Sequence, residues 1–213
     1  MATVREGSPI VETLGVFAVV FVLQILASLL SVALVAGLFI LSPPLSSNPW
    51  TIVTSVYAHG GLGHLLSNSV ALVLFGWPVA RATTRLRFHT FFIVTGALAG
   101  ISQILVTGAL AAAPLVPATP TEGVLGASGA VFALLGYLLA SNRLSVGLAS
   151  LVEVPQWVTY LVFLGLAVVV TVATGAPGVA LVAHFTGFLL GLLAGRAGVL
   201  DVGSRTARTG ASA

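Results

Sequence analysis

Two short runs of this chain hold residues that could carry out nucleophilic catalysis: 126–129 (GASG) and 183–187 (AHFTG). Each run lies in an otherwise apolar stretch. Polar side chains at membrane depth are costly, and they usually mark a buried site or a water-filled cavity. A hydroxyl can attack a carbonyl carbon when a neighbouring imidazole removes its proton, so Ser128 and His184 are the smallest pair able to do this chemistry. They can act only if the segments carrying them bring the two side chains together.

Composition places those segments in a membrane. The chain has 213 residues, of which 58% are hydrophobic and 6% are charged, whereas soluble domains average about 25% charged residues. The net charge of +3 comes with eight arginines scattered between apolar blocks. They form no basic stripe, so membrane topology explains them better than nucleic-acid binding does. Cysteine is absent, which excludes disulfides, thiol catalysis and cysteine metal sites.

A membrane-spanning helix needs about 20 mostly apolar residues, and this rule predicts six spans. We divide the chain into a short cytoplasmic N-terminus (1–13), a six-helix core (14–199) and a disordered cytoplasmic tail (200–213). The loop between the first two spans is too apolar for a free linker, so we expect it to lie partly in the headgroup layer. The predicted spans are residues 14–41, 62–80, 88–111, 126–140, 154–174 and 179–199.

The arginines set the orientation. In a six-span topology all eight fall on one side, and the loops 42–61, 112–123 and 175–178 contain none. Because positive charge favours the cytoplasmic side, both termini are predicted to be cytoplasmic. The sequence therefore predicts an all-α membrane protein with six transmembrane helices.

This topology places the polar residues at one depth. Spans two, four and six all run inward from the outer surface, and His64, Asn68, Ser128 and His184 lie near their starts. At 1.5 Å per residue, all four are expected within roughly 10 Å of the outer interface. His64 and Asn68 are four residues apart and share one helix face.

Stripes of small residues favour close approach of spans four and six. Such stripes let two membrane helices pack backbone to backbone, which would bring Ser128 towards His184. The glycines alone are equally consistent with ordinary helix packing. The stripes are Gly129, Ala133, Gly136 and Ala140 in span four, and Gly187, Gly191 and Gly195 in span six.

Each polar residue also has a structural interpretation. A lone serine in a membrane helix more often bonds the carbonyl four residues earlier than it catalyses. We interpret His59 as a loop residue hydrogen-bonded at the interface, His89 as a solvated neighbour of the arginines, and Glu122 as a rim charge. Nothing in the sequence places Glu122 behind His184 as a third catalytic member.

Taken together, these motifs resemble the rhomboid family of intramembrane serine proteases. The resemblance covers the six-span core, and the motifs occur in the family's order on spans two, four and six. They are H-x4-H-x3-N at His59, His64 and Asn68, G-x-S-G at residues 126–129, and A-H-x-x-G-x-x-x-G at Ala183, His184, Gly187 and Gly191.

The resemblance implies a catalytic dyad of Ser128 and His184. It also implies an oxyanion and substrate-binding site formed by His64, Asn68, Gly126 and the Ser128 backbone N–H. Substrates would be transmembrane segments of other proteins, cut near the outer leaflet. No cofactor, metal or nucleic acid is expected. The protein would be a multi-pass cell-membrane protein with its active site towards the extracytoplasmic side.

Supporting positions follow from the same resemblance, together with some departures. His59, Gly129 and Gly187 match the family's pattern. Phe132 stands where many relatives have a tyrosine stacked on the histidine, so the stacking is kept and the hydroxyl is lost. Ala80 replaces an acidic residue that is frequent after span two.

Two other functions fit part of the sequence. A transporter or channel could use His59, His64 and His184 as a proton or metal relay, although it gives no reason for the G-x-S-G motif. A non-catalytic relative could bind membrane helices without cutting them, although such proteins usually lack the serine or the histidine. The sequence does not reveal the substrate or the oligomeric state.

Overall fold

The computed structural model describes residues 7–114, 118–141, 155–175 and 178–201. The predictions for the extreme termini, and for Arg5, Arg143, Arg205 and Arg208, lie outside these residues. The described residues are helical apart from connecting segments and one isolated β-bridge. The helices are α1 (Pro9–Leu30), α2 (Val32–Phe39), α3 (Thr51–Tyr57), α4 (Leu62–Ala80, with a π-helical turn at Leu72–Gly76), α5 (Arg85–Ala112), α6 (Ser128–Ser141), α7 (Gln156–Ala173) and α8 (Leu181–Arg196).

Four of the described helices, α1, α4, α5 and α7, are long and apolar enough to cross a membrane. Helices α6 and α8 are apolar but have only 14 and 16 residues, about 21 and 24 Å at 1.5 Å per residue. Both are enclosed by neighbours, and more than half of the residues in α6 are buried. A helix shielded by protein does not need to match the bilayer thickness, and its short length leaves room for a cavity at one end.

The first predicted span, 14–41, is two helices rather than one. Helix α1 ends at Leu30, and Ser31 adopts an extended conformation (φ −168°, ψ 138°) before α2 begins at Val32. The Ser31 hydroxyl accepts a hydrogen bond from the N–H of Ala33 (3.1 Å), which is the usual way a serine caps a helix N-terminus. The hydropathy pattern runs through Ser31 unchanged, so it could not reveal this break.

Helices α6 and α8 pack backbone to backbone, as their small-residue stripes predict. A Cβ atom added to Gly187 would collide with the carbonyl oxygen of Gly129, and one added to Gly191 would collide with that of Ala133. One turn further on, a Cβ at Gly195 would lie 2.6 Å from the carbonyl oxygen of Tyr137. Glycine is therefore required along the whole length of this contact.

At the opposite end of the bundle from His184, Glu12 joins α1 to α5. Its carboxylate forms an ion pair with Arg85 (2.5 Å) and a 2.8 Å contact with Nε2 of His89. The expectation that His89 is merely solvated was therefore wrong. Its partner Glu12 lies 77 residues earlier in the chain, where the residues around His89 give no sign of it.

The connection between the first and second spans is anchored rather than free. The indole N–H of Trp50 donates to the carbonyl of Gly37 (2.8 Å), and the Thr54 hydroxyl donates to that of Leu38 (2.5 Å). Leu41 forms a two-hydrogen-bond antiparallel bridge with Val124. This bridge ties the connection to the segment that leads into Ser128.

Candidate active site

Ser128 is the first residue of α6, and the segment before it is fixed at two points. Val124 is held by its bridge to Leu41, and the N–H of Gly126 donates to the carbonyl of Ser55 (2.9 Å). Ala127 is fully buried. At the first position of a helix, the Ser128 N–H has no intrahelical acceptor, so it is free to bind an oxygen from outside the helix.

Gly126 is a glycine for two physical reasons. Its φ of +129° lies in a region that other residues avoid, and an added Cβ would lie 2.7–2.8 Å from Cε1 and Nε2 of His64. The His64 ring therefore lies directly over the Gly126 backbone. Since the Gly126 N–H is already bonded to Ser55, what Gly126 contributes to the site is this space for His64.

His184 lies in the first turn of α8, with its imidazole held against an aromatic ring. Phe132 stacks on it with ring centroids 4.3 Å apart and planes 30° from parallel. His184 is 8% exposed, and its Nδ1 is sealed without a hydrogen-bond partner. Within the part of the chain that the structure describes, no carboxylate bonds the ring, so stacking and the position of α8 define its orientation.

One cavity of about 880 Å³ brings the predicted residues together. Its wall is formed by α4, α6, the start of α8 and the segment before Ser128. Ser128 and His184 line it with no direct hydrogen bond between their side chains, and such bonds often tighten only when substrate is bound. The predicted site residues on its wall are His64, Asn68, Ser128, Phe132 and His184.

Asn68 carries an unused donor. The residue is 5% exposed, and its Nδ2 has no hydrogen-bond partner. A buried amide N–H without a partner costs free energy, so an oxygen that reached this N–H would be bound favourably. His64, one helical turn earlier on α4, presents its ring to the same cavity.

The supporting residues lie around this site. Gly129 and Gly187 form the backbone contact between α6 and α8. His59 is not an interfacial side chain as expected: it is 2% exposed, and both of its ring nitrogens lack a partner. Its ring packs edge-on against Phe17 and His64, with centroids 4.8 and 5.2 Å apart.

The described residues contain no group of three or more His, Cys, Asp or Glu side chains able to hold a metal ion. Glu122 is exposed and does not line the cavity that holds Ser128 and His184. The polar side chains that line the cavity are hydroxyls, imidazoles and amides.

Gln103 is a residue that the motifs did not identify. It is buried in α5, where its Oε1 accepts the backbone N–H of Ala183 (3.1 Å) and its Nε2 donates to the Thr121 hydroxyl (2.8 Å). One amide thus joins the residue before His184 to the loop that leads to Ser128. The signal was present in the sequence, because an amide side chain inside an apolar helix is expensive unless it is bonded.

We expect Gln103→Met to lower the free energy of unfolding by about 1–3 kcal/mol, because it leaves the Ala183 N–H and the Thr121 hydroxyl unpaired. Thermal unfolding in detergent measures this. Thr121→Ser, which keeps the hydroxyl, is the matched control and should unfold close to the wild-type temperature. Equal midpoints for Gln103→Met and wild type would show that these bonds add nothing.

A family model, the Rhomboid domain, matches residues 46–200. This range contains all the predicted site residues. The chain belongs to the rhomboid family. Its apolar helices and this membership identify it as a multi-pass membrane protein with an all-helical rhomboid fold.

Among curated proteins this rhomboid is similar to "RHOMBOID-like protein 5" of Arabidopsis thaliana, with 27% identity over 68% of this chain and 43% of the relative. "RHOMBOID-like protein 4" of the same plant is 30% identical over 68% of this chain and 33% of the relative. "Putative rhomboid protease YdcA" of Bacillus subtilis is 30% identical over 42% of this chain and 40% of the relative. Each match spans less than half of the curated relative.

Proposed function

We propose that this rhomboid is an intramembrane serine endopeptidase that cuts transmembrane segments of other proteins through a Ser128–His184 dyad. The observation that carries the proposal is that Ser128 and His184 line one cavity together with Asn68, whose buried Nδ2 has no hydrogen-bond partner. The description of a Bacillus subtilis relative as a putative rhomboid protease supports the same chemistry.

The proposal includes six spans, with α6 and α8 as the two short ones and both termini in the cytoplasm. The arginine distribution supports this orientation. The dyad would then open towards the extracytoplasmic side of the cell membrane. The domain division at residues 14 and 199 belongs to the same proposal.

The residues divide the reaction between them. His184 removes the Ser128 proton as Oγ attacks the scissile carbonyl carbon, and the carbonyl oxygen becomes an oxyanion. His64, Asn68 and the Ser128 N–H donate hydrogen bonds to that oxygen, and one such donor is typically worth about 3–4 kcal/mol of barrier. His184 returns the proton to the leaving amine. Water then hydrolyses the acyl ester by the same steps.

A fluorophosphonate probe tests the nucleophile. It forms a covalent bond with an activated serine, so we expect the wild-type protein in detergent to be labelled and Ser128→Ala to remain unlabelled. Ser67→Ala is the matched control, because Ser67 lines the same cavity while its hydroxyl bonds the His64 carbonyl (3.0 Å). Ser67→Ala should label like the wild type.

The same assay discriminates between the alternatives. A non-catalytic binder of membrane helices or a histidine-relay transporter has no activated serine, so wild type and Ser128→Ala would then be labelled equally or not at all. Either result would defeat the protease proposal.

A further inference from the structure

Gln24 is a buried polar side chain that the chemistry above does not use. It lies in the apolar helix α1, is 7% exposed, and is flanked by the exposed residues Leu23 and Ile25. Its Oε1 accepts a hydrogen bond from the backbone N–H of His59 at 2.9 Å, across 35 residues of sequence. An amide at this depth costs free energy unless it is hydrogen-bonded. This hydrogen bond therefore holds the backbone in position at His59.

The next residue along the chain contacts the oxyanion candidate. The backbone N–H of Gly60 donates to Nδ1 of His64 at 3.3 Å. A backbone N–H can only donate, so Nδ1 must hold a lone pair, and a neutral His64 then carries its proton on Nε2. The position of the Gly60 N–H therefore selects the tautomer of His64.

That tautomer is the one that suits the site. Nε2 of His64 lies over Gly126, two residues before Ser128, at the position where an added Cβ would be 2.8 Å away. The opposite tautomer would place a lone pair there, and a lone pair repels a developing oxyanion. The His59 ring packs edge-on against His64, with 5.2 Å between centroids.

We propose that Gln24 is a positioning residue for His64. By holding the His59 N–H, Gln24 aims the Gly60 N–H at Nδ1 and so keeps Nε2–H as the donor that faces the cavity. The catalytic part of this inference rests on the proposed protease activity, and the tautomer part does not.

The first test determines the tautomer directly. With ¹⁵N-labelled histidine, the two ring nitrogens of each imidazole give different NMR signals according to which one carries the proton, and His64→Ala assigns the His64 pair. At a pH where His64 is neutral, we expect the Nε2–H form in the wild type and a mixture of both forms in Gln24→Met. A wild-type protein with the proton on Nδ1 would overturn the inference.

The second test is kinetic. We expect Gln24→Met to lower kcat about tenfold with little change in KM, as expected when a transition-state donor is displaced. In a His64→Ala background the same substitution should have no further effect, since its target is gone. The control is Ser28→Ala, one turn along α1, whose exposed hydroxyl bonds only the Ile25 carbonyl; it should match the wild type.

These readouts separate two failures. If Gln24→Met lowers kcat equally with and without His64, Gln24 acts on general stability and the inference is wrong. If the wild type shows the Nε2–H form but neither labels with fluorophosphonate nor cleaves, the proposed protease activity fails while the tautomer assignment stands.

Discussion

Replacing His184 with alanine is expected to reduce cleavage of a transmembrane substrate by about 10⁴-fold or more. Serine proteases lose this much when the base is removed, because the hydroxyl is a weak nucleophile at neutral pH and the leaving amine then lacks its proton donor. Among the described residues no carboxylate bonds the His184 ring, and the nearby His64 imidazole is assigned to the oxyanion, so we expect no efficient substitute for the base. Cleavage of a reporter span by purified protein in vesicles measures the effect.

Phe132→Tyr is the matched control for His184→Ala. It keeps an aromatic ring against the imidazole, where the Phe132 centroid is 4.3 Å away, and adds only a hydroxyl. We expect its cleavage rate to stay within a few-fold of the wild type. A loss of less than tenfold in His184→Ala, with the protein still folded, would mean that His184 is not the base.

Much of the architecture could be predicted from local patterns. The glycine stripes of α6 and α8 predicted their close contact, because only residues without a Cβ allow one backbone to touch another. The G-x-S-G run marked Ser128 as the candidate nucleophile, and the φ of +129° at Gly126 explains why glycine stands two residues before it. Both features depend on spacing within a single segment, which a sequence displays directly.

The polar contacts between segments could not be predicted in this way. Gln24 bonds the chain 35 residues later, and Gln103 bonds it 80 residues later. Hydropathy marks such amides as unusual but says nothing about which backbone group each one meets. The break at Ser31 could not be predicted for a related reason. A single capping hydroxyl separates α1 from α2 inside a run of apolar residues that hydropathy shows as continuous.

A single methyl group at Gly191 is expected to lower the free energy of unfolding more than the other substitutions tested for stability here. The Cβ of Gly191→Ala would collide with the carbonyl oxygen of Ala133. This oxygen belongs to the backbone of α6 and cannot rotate away, so the two helices must separate. Overpacking of this kind costs about 1–3 kcal/mol, and we expect the upper end of that range. Thermal unfolding in detergent measures it.

Gly165→Ala and Gly108→Ala are the matched controls, since an added Cβ at either position has no neighbour within 4 Å. In a helix interior alanine is more favourable than glycine by about 0.5–1 kcal/mol, so both variants should unfold at or above the wild-type temperature. Because α6 carries Ser128 and α8 carries His184, Gly191→Ala should also lose fluorophosphonate labelling at temperatures where it remains folded. A Gly191→Ala protein as stable and as reactive as Gly165→Ala would show that the dyad does not depend on this contact.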